Sequence, residues 1–400
     1  MALKNNTWKL NQWYDQNVAG NATYSGSSEF WAWGVGSTGQ LAQNNTTNYS
    51  SPKQIPGATW IGEVSTGLLN YNGWIANKTD GELWACGDNS YGEAGQNSTT
   101  DGYSSPIQIP GTWGGTALTR GLNSRGAVKS DGTLWMWGRN RNGSLGQNQG
   151  VSNNQYSRSS PTQIPGTTWT STRGGLCQGY YATAAIKTDG TLWTWGANEY
   201  GTLGQNTTSE YARRSSPVQV GSDTTWSKLG HAGYMGFGAV KTDGTLWIWG
   251  TNAFGELGAN FGGNGSMSTN SRSSPIQVPG TTWANVSLGQ YRVMATKTDG
   301  TLWAWGTNSQ GTLGQNSPEN SANSSPVQIP GTNWHQDYFG VGEVAGALKT
   351  DGTAWAWGKN TNGHMGDGTT TTRSSPTQIP GTDWVKLYHL NSGFAAKKNI

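Results

Sequence analysis

Residues 297–316 read KTDGTLWAWGTNSQGTLGQN, and stretches close to this one return along the whole chain of 400 residues. The most constant part is the motif Trp-x-Trp-Gly, which has one degenerate copy, Trp84-Ala85-Cys86-Gly87. The seven copies start at residues 31, 84, 135, 193, 247, 303 and 355, so successive starts lie 51 to 58 residues apart. Self-similarity at such a period indicates a repeat architecture in which one supersecondary unit is copied.

The unit contains a β-hairpin. Residues 184–196, AAIKTDGTLWTWG, are two apolar runs joined at Asp189-Gly190. Asp-Gly between two such runs is a strong hairpin signal, because both residues tolerate positive φ. Side chains alternate along a strand, so Trp193 and Trp195 share one face. The other face is also mostly apolar, which predicts a sheet that is covered on both sides.

A second motif, Ser-Ser-Pro-x-Gln-Ile-Pro-Gly, follows each hairpin, for example at residues 324–331, and holds 13 of the 14 prolines. Proline cannot donate to a β-ladder and is confined to edge strands. The motif therefore predicts an outer edge strand that is blunted against further pairing. Small sheets with a marked outer edge, packed face to face, are typical of a β-propeller.

These motifs resemble a known repeat. Leu-Trp-x-Trp-Gly-x-Asn-x-x-Gly-x-Leu-Gly, followed by a Pro-x-x-Ile strand, is similar to the RCC1 (regulator of chromosome condensation) repeat, and the resemblance covers nearly the whole chain. It implies an all-β fold, a seven-bladed β-propeller of RCC1-like repeats over residues 23–400, with residues 1–22 as an N-terminal arm or cap. The tandem tryptophans and the constant proline motif depart from the eukaryotic pattern and resemble repeats of bacterial and phage relatives.

The two chain ends compete for one place in the ring. The half-repeat that opens with a tryptophan occurs eight times, but the rest of the unit occurs seven times. We expect the last copy, residues 384–400, to pair with the strand at Trp31 and to close the ring with terminal strands. The reverse arrangement, in which residues 5–25 fill the ring and the C-terminal copy is surplus, stays open.

Composition excludes several function classes. Charged residues are 12% of the chain and the net charge is +3, which is too weak and diffuse to predict binding to nucleic acid or an acidic membrane. Two cysteines allow one disulfide at most, and Cys86, at a tryptophan position, is interpreted as a small core residue. The four histidines match no metal-ligand spacing. No apolar run is long enough to cross a membrane, and the N-terminus predicts no secretory signal.

The repeated polar residues are interpreted as architecture. Each Asp of the Asp-Gly motif is expected to be a turn residue, and the lysine before it is expected to be solvated. The six aspartates are Asp80, Asp131, Asp189, Asp243, Asp299 and Asp351. The motif serines have no His or Asp at a repeated offset that would make them nucleophiles. We therefore predict no catalytic, cofactor-binding or metal-binding residue and no enzyme activity.

The units differ most between the Leu-Gly and Ser-Ser-Pro motifs, and binding usually lies on such loops. Tyrosine and arginine among Ser, Asn and Gly are typical of adaptable contact surfaces. The candidate binding residues are Tyr49, Tyr103, Tyr156, Arg158, Tyr211, Arg213, Arg214, Arg272 and Arg373. The alternative, that these loops only keep the protein in solution, stays open.

The function predicted from these features is non-enzymatic structure or binding. Low charge and Asn/Thr/Gly loops without a secretory signal favour a bacteriophage virion component, a capsid decoration or tail- or fibre-associated propeller made in the host cytoplasm. Its expected partners are other virion proteins or a host-surface ligand, including a glycan, and it could form a homo-oligomer. One alternative is a carbohydrate-binding propeller in the cytoplasm or on the surface of a bacterium. The resemblance also implies a guanine-nucleotide exchange factor, but the chain has no basic tail or distinctive insertion for that role.

Overall fold

The computed structural model describes residues 28–399 except for short internal segments at 58, 66–72, 101, 150–155, 235, 263–264, 267–269, 318–320 and 391–392. The predicted arm, residues 1–22, lies outside the described residues. Within them the chain forms seven antiparallel four-stranded sheets, called blades 1 to 7.

The first two strands, β1 (Ser28–Gly34) and β2 (Tyr49–Ile55), belong to blade 7. Blade 1 consists of β3 (Trp60–Val64), β4 (Trp74–Lys78), β5 (Leu83–Gly87) and β6 (Tyr103–Ile109). Blade 2 consists of β7 (Leu118–Arg120), β8 (Ser124–Val128), β9 (Leu134–Gly138) and β10 (Arg158–Ile164). Blade 3 consists of β11 (Leu176–Gln178), β12 (Ala182–Ile186), β13 (Leu192–Gly196) and β14 (Arg214–Gln219). Blade 4 consists of β15 (Trp226–Leu229), β16 (Gly236–Lys241), β17 (Leu246–Gly250) and β18 (Arg272–Gln277). Blade 5 consists of β19 (Trp283–Leu288), β20 (Arg292–Lys297), β21 (Leu302–Thr307) and β22 (Ala322–Gln328). Blade 6 consists of β23 (Trp334–Val341), β24 (Val344–Lys349), β25 (Ala354–Gly358) and β26 (Arg373–Gln378). Blade 7 is completed by β27 (Trp384–His389) and β28 (Gly393–Asn399), and the loops include 3₁₀ turns at Arg141–Gly143, Glu199–Gly201, Glu210–Ala212 and Ser309–Gly311.

The blades are arranged radially, and this confirms the predicted seven-bladed propeller. The first strand of each repeat is innermost, where it contacts the first strand of a neighbouring blade, and the Ser-Ser-Pro strand is outermost in all seven sheets. Blade 7 has the order β2-β1-β28-β27, so the two chain ends share one sheet. Trp33 of β1 pairs with Phe394 of β28, which confirms closure of the ring by terminal strands.

The proline of each Ser-Ser-Pro segment lies in a bulge of the outermost strand. In blade 2, Met136 pairs with Thr162 and Gly138 pairs with Arg158. Three residues, Ser159 to Pro161, therefore stand opposite one residue of the neighbouring strand. A bulge of this kind releases the backbone from the ladder, so Pro161 has no ladder hydrogen bond to donate.

The hairpin motif is held together by a chain of hydrogen bonds. In the opening stretch, Asp299 Oδ1 accepts hydrogen bonds from the backbone N–H and the Oγ1 of Thr301, at 2.9 and 2.7 Å. The indole N–H of Trp303 then donates to Thr301 Oγ1 at 2.9 Å. The predicted turn role of the aspartates fits this arrangement.

The prediction that the lysines of the hairpin motif are solvated is wrong. Lys297 Nζ lies 4.8 Å from the ring centre of Trp283 and 4.4 Å from that of Trp303, so the ammonium group contacts two indoles whose planes meet at 74°. We call this two-ring contact a lysine sandwich. Trp283 opens the same repeat 14 residues before the lysine, and the fold brings it back onto the hairpin. The same sandwich forms at Lys78, Lys129, Lys187, Lys241 and Lys349.

The glycine and asparagine motif joins each blade to the next one. Asn308 Oδ1 accepts a hydrogen bond from the N–H of Leu313 at 3.0 Å and folds the segment after β21. Gly311, with φ +72°, lies so close to Ser374 of blade 6 that a Cβ atom would stand 2.7 Å from the Ser374 Cα. The N–H of Asn316 donates to the carbonyl of Ser374 at 3.0 Å. The Gly-x-Leu-Gly-Gln-Asn motif is thus a seam between blades and not a ligand loop.

Candidate binding surface on the loop face

The propeller has two faces of different character. One face carries the constant Asp-Gly turns. The other, the loop face, carries the turns between the first and second strands of each blade and the long segments between the third and fourth strands. Since the constant motifs are used in the architecture, a surface that binds a ligand is sought among residues that differ between blades.

The sequence-predicted residues lie at the rim of the loop face. Most of them begin outermost strands or directly precede them, one to three in each of six blades: Tyr49, Tyr103, Tyr156, Arg158, Tyr211, Arg213, Arg214, Arg272 and Arg373. The fold spreads them around the circumference and does not gather them into one site. Their role in binding stays a prediction.

Several rim residues already have local partners. Arg158 Nη2 donates to Gln149 Oε1 at 2.6 Å, and the guanidinium of Arg272 stacks on Phe261 at 4.4 Å from the ring centre. Tyr211 is different, because 86% of its surface is exposed. A single exposed aromatic side chain is ordinary on a protein surface, so this exposure makes Tyr211 accessible to a partner but does not by itself mark a site.

Nearer the axis, five aromatic side chains form a continuous row, which we call the aromatic crescent: Tyr180, Tyr181, Tyr234, Tyr291 and Phe254. Neighbouring ring centres along this row lie 4.2, 4.7, 5.9 and 5.1 Å apart, in the order Tyr181, Tyr180, Tyr234, Tyr291, Phe254. These are the tilted contacts that aromatic pairs prefer. The crescent joins blades 3, 4 and 5, and all members except Tyr181 are half-buried with part of each ring open to solvent.

Tight turns position the crescent. The N–H of Gly179 donates to the carbonyl of Ala182 at 2.8 Å, so Tyr180 and Tyr181 are the two central residues of the turn between β11 and β12. Gly233 and Gly289 make the corresponding bonds to Gly236 and Arg292. Each turn therefore presents an aromatic residue at its tip, away from the sheet.

Tyr291 adopts a conformation that L-residues avoid. Its φ is +64° at the tip of the turn between β19 and β20. A non-glycine residue in this region costs of order 1–3 kcal/mol and is frequently found at functional sites. The tyrosine at this tip therefore carries a conformational free-energy cost that a glycine would not.

A basic group holds the blade 2 end of the crescent. Arg141 Nη1 donates to the hydroxyl of Tyr181 at 2.5 Å, and its guanidinium lies 4.3 Å from the centre of the same ring. Burial raises the pKa values of Tyr181, Tyr234 and Tyr291 above their ordinary range. The phenols are thus neutral at physiological pH and can both donate and accept hydrogen bonds.

The other end of the crescent opens into a cavity of about 490 Å³ between blades 5 and 6. Phe254 and Tyr291 form one wall, and Arg292, Glu343 and Lys359 form the polar side. Arg292 is 6% exposed and donates to Ser309 Oγ at 2.8 Å, while Lys359 pairs with Glu343 at 2.9 Å. Burial lowers the pKa of Arg292 to about 10, so it stays protonated at neutral pH.

The central channel is closed by side chains. Arg173 of blade 3 donates to the backbone carbonyl of Asp337 in blade 6 at 2.7 Å, across the ring. The Asp337 carboxylate pairs with Lys228 and accepts a hydrogen bond from Asn285 Nδ2 at 3.2 Å. The cavity beside this network is about 20 Å³, which is room for one water molecule. Among the described residues, this network thus links blades 3 to 6 across the ring, and the cavity beside it is too small for a ligand larger than water.

The part of the chain that the structure describes contains no group of three or more His, Cys, Asp or Glu side chains that could hold a metal ion. Among those residues there is also no helix of the length and apolarity that a membrane crossing requires.

The crescent was missed by sequence analysis, which looked only between the third and fourth strands. A signal was present, since three successive repeats place a tyrosine at the turn after the first strand: Tyr180, Tyr234 and Tyr291. Their separations, 54 and 57 residues, follow the repeat period. Equivalent positions in adjacent blades lie side by side, so the period itself indicates a shared surface.

Comparisons with known proteins match this architecture. The model of the regulator of chromosome condensation (RCC1) repeat matches residues 131–173, 189–231, 299–336 and 351–387. The human E3 ubiquitin-protein ligase HERC2 is 27% identical over 313 residues, which are 74% of this chain and only 6% of the ligase. The ultraviolet-B receptor UVR8 of Arabidopsis thaliana is 27% identical over 354 residues, 86% of this chain and 75% of the receptor. The structure of yeast RCC1 (Prp20), solved bound to Kap60, superposes with a TM-score of 0.79 at 18% identity and covers 94% of this chain and 89% of that one.

Proposed function

Because the chain is a propeller of RCC1 repeats, we propose that it is a non-enzymatic binding protein that docks a partner protein on the aromatic crescent of its loop face. The coarse function, a binding or regulatory propeller, agrees with the proteins to which the chain is similar. Yeast Prp20 was solved bound to the protein Kap60, but a likeness at 18% identity concerns the fold. The surface and its chemistry are therefore argued from this chain's own residues.

The continuity of the crescent is the observation that carries the proposal. Tyrosine and arginine are enriched among residues that dominate binding energy, and such residues cluster. Here Tyr180, Tyr234 and Tyr291 come from three blades, and Arg141 extends the row from a fourth. None of the four occupies a constant motif position, so the architecture of the repeat does not account for them.

The partner surface should be apolar with hydrogen-bonding groups at its margin. The phenols are neutral, and the flanking ions on the blade 5–6 side include the Glu343–Lys359 pair. Rings held by tight turns lose little conformational freedom on binding, which favours affinity. A folded protein surface or an extended segment with one or two apolar anchors would fit a row of rings that opens into a cavity of about 490 Å³.

The proposal is tested by affinity purification from the source cell with quantitative mass spectrometry, using three proteins. The double variant Y180A/Y234A removes the centre of the crescent, and Y211A removes the exposed tyrosine of the rim as a matched control. The expected result is a partner that is retained by the wild type and by Y211A and lost from Y180A/Y234A. Equal retention by all three proteins would reject the crescent as the docking surface.

The proposed setting is a bacteriophage virion, with the propeller bound to other virion proteins and its loops directed outward. The support is the composition: 12% charged residues, and loops of Asn, Thr, Ser and Gly. Mass spectrometry of purified virions tests this setting. If purified virions do not contain the protein, the virion location is rejected. Docking on the aromatic crescent is then still tested by the affinity purification.

A second candidate, carbohydrate binding, is favoured by a different part of the molecule. A cleft of about 440 Å³ at the circumference between blades 2 and 3 is lined by tryptophan and glutamine side chains. It lies apart from the crescent and presents different chemistry.

A further inference from the structure

The cleft between blades 2 and 3 is a second site, formed by the outer strand of one blade and the tryptophan hairpin of the next. Trp169 and Trp193 form its aromatic wall, and Gln147, Gln149 and Arg158 line the opposite side. Its volume, about 440 Å³, is within the range of small-molecule pockets. None of these residues belongs to the aromatic crescent.

The outer strand of blade 2 lacks two side chains that pack against the next blade in blade 1. In blade 1 the positions paired with Gly87 and Ala85 are Tyr103 and Ile107, which pack into the apolar cluster of Trp113. In blade 2 the corresponding positions hold Arg158 and Thr162.

Blade 4 shows the same contrast with a different filler. Phe261 and Ile276 pack into the cluster of Trp283 and Trp305. An aromatic and a β-branched aliphatic residue of blades 1 and 4 thus pack against the tryptophans of the next blade. In blade 2 an arginine and a threonine stand at these positions, and blade 6 has the same pair, Arg373 and Thr377.

Two glutamine side chains at the cleft have different roles. Gln147 Nε2 donates to the carbonyls of Met136 and Thr162, at 3.2 and 3.5 Å, and Gln147 Oε1 is buried, so this amide belongs to the architecture of the blade. Gln149 already holds Arg158, whose Nη2 donates to its Oε1 at 2.6 Å.

The charge of the cleft is positive. Arg158 and Lys187 line it, and its lining includes no Asp or Glu. Lys187 Nζ lies 4.0 Å from the ring centre of Trp193, so its charge is placed at the aromatic wall. A ligand that is complementary to Arg158 and Lys187 therefore carries a negative group.

From the indole wall, the amide groups and the net positive charge, we propose that this cleft binds a pyranose sugar that carries a carboxylate. The C–H face of the ring packs on Trp193, the hydroxyls meet the Gln149 amide, and the carboxylate pairs with Arg158. Planar amides and guanidinium groups are suited to this recognition, since they donate and accept in fixed geometry.

The affinity is measured by isothermal titration and saturation-transfer NMR with the full chain. The probes are glucuronate, galacturonate and N-acetylneuraminate, with glucose and galactose as neutral counterparts. A Kd on the order of 1 mM is expected for ligands of this size. At least one acidic sugar should bind several-fold more tightly than its neutral counterpart, and the difference should shrink as salt is added.

The variant R158Y/T162I introduces the blade 1 residues and should abolish sugar binding while the melting temperature is kept. R214Y/V218I makes the corresponding changes in blade 3 and is the matched control, which should bind like the wild type. R158Q should remove the preference for acidic sugars and leave the weak binding of neutral ones.

Three results would overturn the proposal: no saturable binding by any of the acidic sugars, equal binding of acidic and neutral sugars, or unchanged binding by R158Y/T162I. The crescent variant Y180A/Y234A should bind the sugars like the wild type. A failure of this site is therefore distinguishable from a failure of the proposed protein docking.

Discussion

Trp74 lies directly across the sheet from Cys86, and its indole N–H donates to the carbonyl oxygen of Gln40 at 2.8 Å. In blade 3 the equivalent hydrogen bond comes from the adjacent strand, where Trp195 donates to the carbonyl of Ser144 at 2.9 Å. Blade 1 has therefore moved the tryptophan to the opposite strand and placed a small residue in the vacated position. Burial raises the pKa of the Cys86 thiol to about 12, so Cys86 is a core residue and not a reactive thiol.

The swap predicts that two damaging substitutions compensate each other. W74T removes a buried indole and should destabilise the protein by about 3–5 kcal/mol. C86W should cost about 1–3 kcal/mol, because it crowds Trp74. The double variant W74T/C86W recreates the Thr183–Trp195 pair of blade 3 and should recover most of both losses. Urea unfolding of the four proteins measures this, and additive losses would contradict the compensation.

The fold could be predicted from the sequence because the constant residues are the ones that the architecture uses. Asp299, Thr301 and Trp303 make one hydrogen-bonded chain within a hairpin, so their spacing alone indicated a turn and two strands. Gly311 and Asn316 contact the next blade, so they too recur with the period. Residues that make hydrogen bonds within a hairpin, or contacts with the next blade, therefore recur in the sequence with the period of the repeat.

The candidate site could be predicted only in part. Tyr180 and Tyr291 belong to one surface because blades 3, 4 and 5 are adjacent in the ring, which no single repeat reveals. The rim residues were found from their residue types, but equal positions in different blades are spread around the circumference. The lysine sandwiches were missed for a related reason, since the second indole comes from the start of the repeat and meets the lysine only in the folded blade.

The seam between blades should be sensitive to a single methyl group. G311A would place a Cβ atom 2.7 Å from the Ser374 Cα at a φ of +72°. Strain at positive φ and the steric clash together should cost about 2–4 kcal/mol. The matched control is G221A, where φ is +60° and no atom lies within 4 Å of the new Cβ. Chemical denaturation should show only the conformational cost of about 1 kcal/mol there, and equal losses would argue against a tight seam.

The lysine sandwiches should stabilise the blades. In K297M the side chain keeps most of its length and loses the charge that contacts Trp283 and Trp303. A cation–π contact contributes at least about 0.5–1 kcal/mol, so the loss of two contacts should lower the free energy of unfolding by about 1–2 kcal/mol. Lys53 is exposed and contacts only the ring of Tyr49. K53M is therefore the control and should change the free energy of unfolding by less than about 0.5 kcal/mol. A gain in stability for K297M would show that burial of the apolar stem outweighs the charge.

Acid should weaken the protein through its turn carboxylates. Hydrogen bonds from Lys241 and Thr225 lower the pKa of Asp223 to about 2. Hydrogen bonds from the neighbouring Thr side chain lower the pKa of the turn aspartates Asp131, Asp189, Asp243, Asp299 and Asp351 in the same direction. A carboxyl with a lowered folded-state pKa stabilises the fold above its unfolded value, near 3.9, and this contribution is lost as the pH falls through the folded value.

The melting temperature should therefore decline steeply between pH 4 and pH 2, and Asp223 should account for a measurable part of the decline. At pH 6, D223N removes the ion pair with Lys241, in which the Asp223 side chain is 34% exposed and the Lys241 side chain 13%. It should lower the melting temperature by less than about 3 °C. At pH 2 the wild-type carboxylate is half protonated, so the gap between the two proteins should narrow. Differential scanning calorimetry at both pH values measures the gap, and a gap that widens in acid would contradict the assigned direction of the pKa shift.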